Sequence, residues 1–151
     1  MPRIYDVLCA DHHDLDHIFD RLLNEVRAND TPAADQTWSE FERELRNHMD
    51  AEETFVLPQL DQTAPNDAAH IRGEHDKIRA ILTEMGLSLQ LHLVHDEKVA
   101  SFLELLRNHA KHEETSLYPF ADRFLAEEAK KSLFLRIRQN ILNAALEWQG
   151  P

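Results

Sequence analysis

Thiols are nearly missing from this sequence: one cysteine, Cys9, stands among 151 residues. A single cysteine closes no internal disulfide, and without further thiolates neither a structural zinc site nor an iron–sulfur cluster is expected. Cys9 reads as a small buried hydrophobe, in keeping with a reducing cytoplasm. Glycine is almost as scarce, at three residues, and no glycine-rich phosphate loop or nucleotide motif is present. Positive charge is short as well. Sixteen Lys and Arg face 28 Asp and Glu, a formal charge of −12, which speaks against nucleic acid and anionic membrane as partners. No apolar run of roughly eighteen residues occurs and no charged-then-apolar leader opens the chain, so neither a membrane span nor a signal peptide is expected.

What remains is helical material. Hydrophobic residues make up 42%, enough for a core in one domain over residues 1–151. Apolar residues recur in steps of three and four along four segments. The first stripe is Tyr5, Leu8, His12, Leu15, Phe19, Leu22 and Val26, ending at the turn signal Asn29-Asp30-Thr31-Pro32. The second is Trp38, Phe41, Leu45, His48, Glu52 and Phe55, which Pro58 bends or ends. After a loop near residues 63–67, the third carries Ile71, His75, Ile78, Leu82, Met85 and Leu89, with Gly86 weakening its last turns. The fourth, with Asp96 as N-cap, carries Val99, Phe102, Leu106, His109, Glu113 and Leu117; Pro119 repeats the role of Pro58. Short connections predict an all-α, up-down-up-down antiparallel four-helix bundle over about residues 4–120. An additional C-terminal helix is expected over about residues 125–148. Leu133, Ile137, Ile141, Leu142 and Ala145 give it an apolar face, for packing on the bundle or for a homodimer contact.

Each stripe is interrupted at mid-helix by polar residues: His12, then His48 and Glu52, then His75, then His109 and Glu113. Asn-His-x-x-x-Glu-Glu-Thr is written twice, in residues 47–54 and 108–115. The pair His70 and Glu74 has the same spacing but lies off the third stripe, and His13, His17, His92, His95 and His112 also fall off the stripes or at their ends. Unpartnered buried carboxylates are costly. A metal relieves that cost, because imidazole and carboxylate are ligands for iron, zinc or manganese and residues four apart share a helix face. Four His and two bridging carboxylates supply about eight bonds and an oxo or hydroxo bridge about two more, against about twelve positions for two octahedral ions. About two positions stay open for a small molecule.

This set of residues, His12, His48-x-x-x-Glu52, His75 and His109-x-x-x-Glu113, resembles the hemerythrin-like (HHE cation-binding) family. The resemblance implies a four-helix bundle holding a non-haem di-iron centre. Ferritin-like carboxylate proteins use Glu-x-x-His instead, a spacing that no histidine here shows. The family's oxygen carriers add a second third-helix histidine, where this chain has Arg79. The four-His, two-Glu set is more similar to members that repair iron–sulfur centres or sense iron, although the cysteine-bearing domain of the repair proteins does not precede it here. The resemblance thus implies a centre that binds dioxygen, nitric oxide or peroxide for sensing, scavenging or stress defence. Its alternatives are a redox enzyme, for example in peroxide turnover, and an iron-binding regulatory module. Helical angle favours Glu52 and Glu113 over the adjacent Glu53 and Glu114 as ligands. Asp16 is a candidate to orient the His12 ring, and Arg79 reaches either a bound anion or an acidic neighbour.

Overall fold

The sparing use of glycine leaves the chain almost wholly helical. The computed structural model describes residues 2–147, with side chains described through Gln139. Among these residues there are seven helices and no strand: α1 Ile4–Arg27, α2 Thr31–Phe55, α3 Leu57–Thr63, α4 Pro65–Gln90, α5 Asp96–Thr115, α6 Leu117–Phe124 and α7 Glu127–Glu147. The four long helices α1, α2, α4 and α5 form the four-helix bundle, each packed beside the next, with α5 returning to α1. No helix of the described residues is long and apolar enough to cross a membrane.

Local chemistry sets the boundaries. After α1, Asn29 takes a left-handed turn at φ 56°, which asparagine tolerates better than most residues. Asp30 then caps α2 by accepting from the Ala33 N–H, with Pro32 in the first turn where its missing donor costs nothing. The start of α1 has no cap of its own; the Asp122 carboxylate on α6 accepts from the backbone N–H groups of Ile4 and Tyr5 at 2.8 and 3.2 Å.

Both proline signals end their helices, and a short helix follows each break. Helix α2 stops at Val56 and α5 at Ser116, and α3 and α6 then carry Pro58 and Pro119 in their first turns. The loop expected near residues 63–67 shrinks to a single residue, Ala64, because Pro65 opens α4 directly. His95, not Asp96, precedes α5; Asp96 lies in the first turn, where its charge suits the helix dipole. Gly86 does not loosen α4, which continues to Gln90. Its missing side chain lets Trp38 lie close: a Cβ there would sit 3.1 Å from the indole Nε1.

The core is divided in two. One apolar cluster, around Phe19, Leu22, Trp38, Phe41, Leu82 and Phe102, fills the half of the bundle next to the α1–α2 turn. The other, around Leu8, Ala51, Val56, Leu57, Ile71 and Tyr118, fills the opposite end and includes Leu133 and Ile137 of α7. Helix α7 lies across α2 and α1, with Arg136 over the Phe55 ring. The side chains of Ile141, Leu142 and Ala145, and the expected helix end at Trp148, lie outside the described residues. Between the two clusters runs a polar layer.

Candidate metal centre

The polar layer is made of the residues that interrupt the stripes. His48, Glu52, His75, His109 and Glu113 are buried, Glu52, His75 and Glu113 completely, and the His12 side chain is 10% exposed. The structure brings all six together. The four Nε2 atoms face the bundle axis. His48 Nε2 lies 2.8 Å from Glu52 Oε1, and His12 and His109 Nε2 lie 3.2 and 3.1 Å from Glu113 Oε1. His75 Nε2 lies 3.2 Å from both Glu52 Oε2 and Glu113 Oε2. Ligand atoms of His12, His48, Glu52 and Glu113 fall within 4.8 Å of one another, as do those of His75, His109 and Glu113. The two groups share Glu113.

The doubled glutamates have divided roles. Glu52 and Glu113 turn inward, while Glu53 and Glu114 reach sideways to the outer nitrogens of histidines on neighbouring helices. His75 Nδ1–H donates to Glu53 at 3.1 Å and His12 Nδ1–H to Glu114 at 3.2 Å. Asp11 and Glu74 complete the pattern, accepting from His48 Nδ1 at 2.5 Å and from His109 Nδ1 at 2.6 Å. Every seam histidine is therefore held by a carboxylate of an adjacent helix: α1 by α5, α2 by α1, α4 by α2, α5 by α4. The belt closes on itself. A carboxylate at Nδ1 fixes the ring and keeps the proton there, which leaves the Nε2 lone pair pointing inward as a metal ligand needs.

Sequence reasoning misses five members of the site: Asp11, Glu53, Glu74 and Glu114 as partners of the rings, and Tyr118. The role it gives to Asp16 belongs to Glu114. Asp16 pairs instead with Arg107 at 2.8 and 3.1 Å. A signal was available, since an acidic residue directly precedes the seam histidine of both α1 and α4 (Asp11-His12 and Glu74-His75). Tyr118 gave no such signal. Its hydroxyl donates to Glu52 Oε1 at 2.6 Å and lies 2.8 and 3.1 Å from the Nε2 atoms of His12 and His48. Arg79 takes the acidic neighbour, pairing with Glu53 and Asp50. Cys9 is only partly buried, and burial together with Glu114 pushes its thiol up to about 11.

Burial works against charge on His75, but Glu113, Glu52 and Glu53 outweigh it and push the imidazole up to about 11. His48 and His109 follow in the same direction, burial again opposed by Glu52 and Asp11 for the one and chiefly Glu113 for the other. Burial raises the carboxyl of Glu113, yet His109, His12 and His75 hold it well below the usual range. Burial and the charges of Glu113 and Glu52 raise the Tyr118 phenol. Six carboxylates thus press on four imidazoles and one guanidinium, a layer that favours added positive charge.

The donor set suits a metal in a further way. Glu52 Oε2 and His109 Nε2 are buried and make no hydrogen bond among the described residues, although each lies within about 3.2 Å of a neighbour. Such orphaned atoms are rare in interiors, and coordination satisfies both. Beside the layer lies a cavity of about 50 Å³, lined by Leu15, Phe19, Phe41, Leu45 and Leu103 and reached by His12, His48 and His109. That exceeds the ~10–15 Å³ that one water occupies. Exposed Arg107, held by Asp16, edges it.

Residues 3–121 match the Hemerythrin HHE cation binding domain. No curated protein and no solved structure matches the chain.

Proposed function

The chain belongs to the hemerythrin HHE cation-binding family, and from that premise we propose that His12, His48, Glu52, His75, His109 and Glu113 hold two iron ions which bind a small ligand: dioxygen, nitric oxide or peroxide. When bound, such a pair supplies one-electron chemistry and open positions for the ligand. The observation that carries the reading is the inward convergence of four Nε2 atoms on two buried glutamates, each ring held from behind by a carboxylate.

The chain's own residues do the rest. Phe19, Phe41, Leu45 and Leu103 keep the adjoining cavity apolar, which favours a diatomic molecule over a hydrated anion. Glu53, Asp11, Glu74 and Glu114 fix the rings, and Tyr118 keeps its proton on the phenol oxygen beside Glu52. Helix α7, lying across α2 and α1, adds Leu133 and Ile137 to the apolar cluster beside the layer and so joins the bundle as one domain. The role is sensing, scavenging or stress defence.

The test is metal content after iron loading, followed by an optical spectrum with and without azide or nitric oxide. About two irons per chain and a ligand-sensitive band support the reading; less than one iron per chain removes it. Peroxide turnover is the second reading, favoured by the Tyr118 hydroxyl as a hydrogen-bond donor within the layer. It requires rapid peroxide consumption that Tyr118→Phe slows through loss of the hydroxyl's hydrogen bond to Glu52.

A further inference from the structure

The geometry points to a second, peripheral metal site, formed by His70 and Glu74 of α4 and His112 of α5, that takes one divalent transition-metal ion of the zinc, cobalt or ferrous class. One ligand atom of each residue lies within 4.8 Å of the other two. His70 and Glu74 stand one turn apart on one face of α4, with His70 Nε2 3.4 Å from Glu74 Oε1. His112 Nδ1 approaches the same oxygen at 2.9 Å from the neighbouring helix, and its ring meets that of His70 edge-on, the centroids 5.4 Å apart.

Two imidazoles and one carboxylate are borderline ligands that select such ions over magnesium or calcium, and three protein ligands leave a position for water. The His70 side chain is 67% exposed, so an ion reaches the site without opening the bundle. The site is separate from the buried layer but linked to it, because the other oxygen of Glu74 accepts from His109 Nδ1. A surface ion would share its carboxylate with a ring of the buried layer.

The site goes beyond the proposed function and does not depend on what the buried layer holds. Iron-loaded protein is titrated with zinc by calorimetry, beside His70→Ala and, as a control for exposed histidines, His92→Ala. The expected result is one zinc per chain beyond the iron, at least about tenfold weaker in His70→Ala and unchanged in His92→Ala, with iron content the same in all three. The titration is repeated in Glu52→Gln/Glu113→Gln, where the zinc increment sensitive to His70 persists even though the buried layer is disabled. Equal zinc affinity with and without His70, in either background, would overturn the site. Loss of iron alone, with the zinc increment intact, would instead count against the buried iron pair.

Discussion

At the scale of single residues, the carboxylates behind the rings decide how tightly the layer holds a cation. Removing an outer partner of a metal-bound histidine typically costs 10–100-fold in affinity. Asp11→Asn and Glu53→Gln are therefore expected to lower iron affinity about 10–100-fold, read by competition with a chelator, while circular dichroism stays at the parent level. Glu74→Gln belongs with them, whereas His70→Ala is expected to leave the metal content of the layer unchanged. Protons compete for the same atoms. Without metal, His75 binds its proton up to about pH 11, against an ordinary 6.5. That protonation stabilises the metal-free fold fully below about pH 6.5 and fades as pH rises toward 11. Glu113, held below its ordinary 4.5, contributes above that value and is lost on acidification. A metal must displace the imidazole protons, so iron affinity rises with pH and binding releases protons. Calorimetry in two buffers of different ionisation enthalpy should show the release; identical heats in both would contradict it. The six inward groups were legible in the sequence because a polar residue in an apolar stripe has no cheap state. The outer carboxylates were not, since they leave the stripe by one position and look like solvated acids. Tyr118 was hidden by the break at Ser116, which turns it out of the register of α5.

At the scale of elements, periodicity found four long helices and the C-terminal one but not α3 and α6. Each is a two-turn piece, too short to show a stripe of its own. The structure makes them matter: Asp122 on α6 caps α1, and Leu57, Leu60 and Tyr118 roof the layer. Gly86 shows how context overrides propensity. Alanine would favour the helix by about 1 kcal/mol, but its Cβ would press on the buried Trp38 indole, and overpacking of this kind costs about 1–3 kcal/mol. The net expectation for Gly86→Ala is a loss of about 1 kcal/mol in denaturant unfolding, with no change in metal content. A more stable variant would mean that Trp38 moves aside freely.

At the scale of the molecule, two apolar clusters flank a layer that needs a cation. Each fully buried Leu or Phe contributes roughly 1.5–3 kcal/mol, so the clusters should hold the fold without metal. Glu52→Gln/Glu113→Gln is expected to keep its helical content, and its thermal midpoint should stay flat when iron is added, while that of the parent rises by ligand linkage. An equal rise in both proteins would point to ligands other than these glutamates. The closed belt carries one further consequence. The hairpin α1–α2 supplies Asp11-His12 and His48-x-x-x-Glu52-Glu53, and α4–α5 supplies Glu74-His75 and His109-x-x-x-Glu113-Glu114. Within each hairpin the acid before the first histidine holds the second, and across the hairpins the last glutamate of one holds the first histidine of the other. The two hairpins thus contribute the same pattern of partners to the belt, and the covalent link at Ala64 takes no part in it. Halves made as separate polypeptides and cut there should find each other in solution and close the same ring. A half-length chain carrying acid-His on one helix and His-x-x-x-Glu-Glu on the next, paired with its own copy, would by the same pattern supply every kind of contact the belt requires.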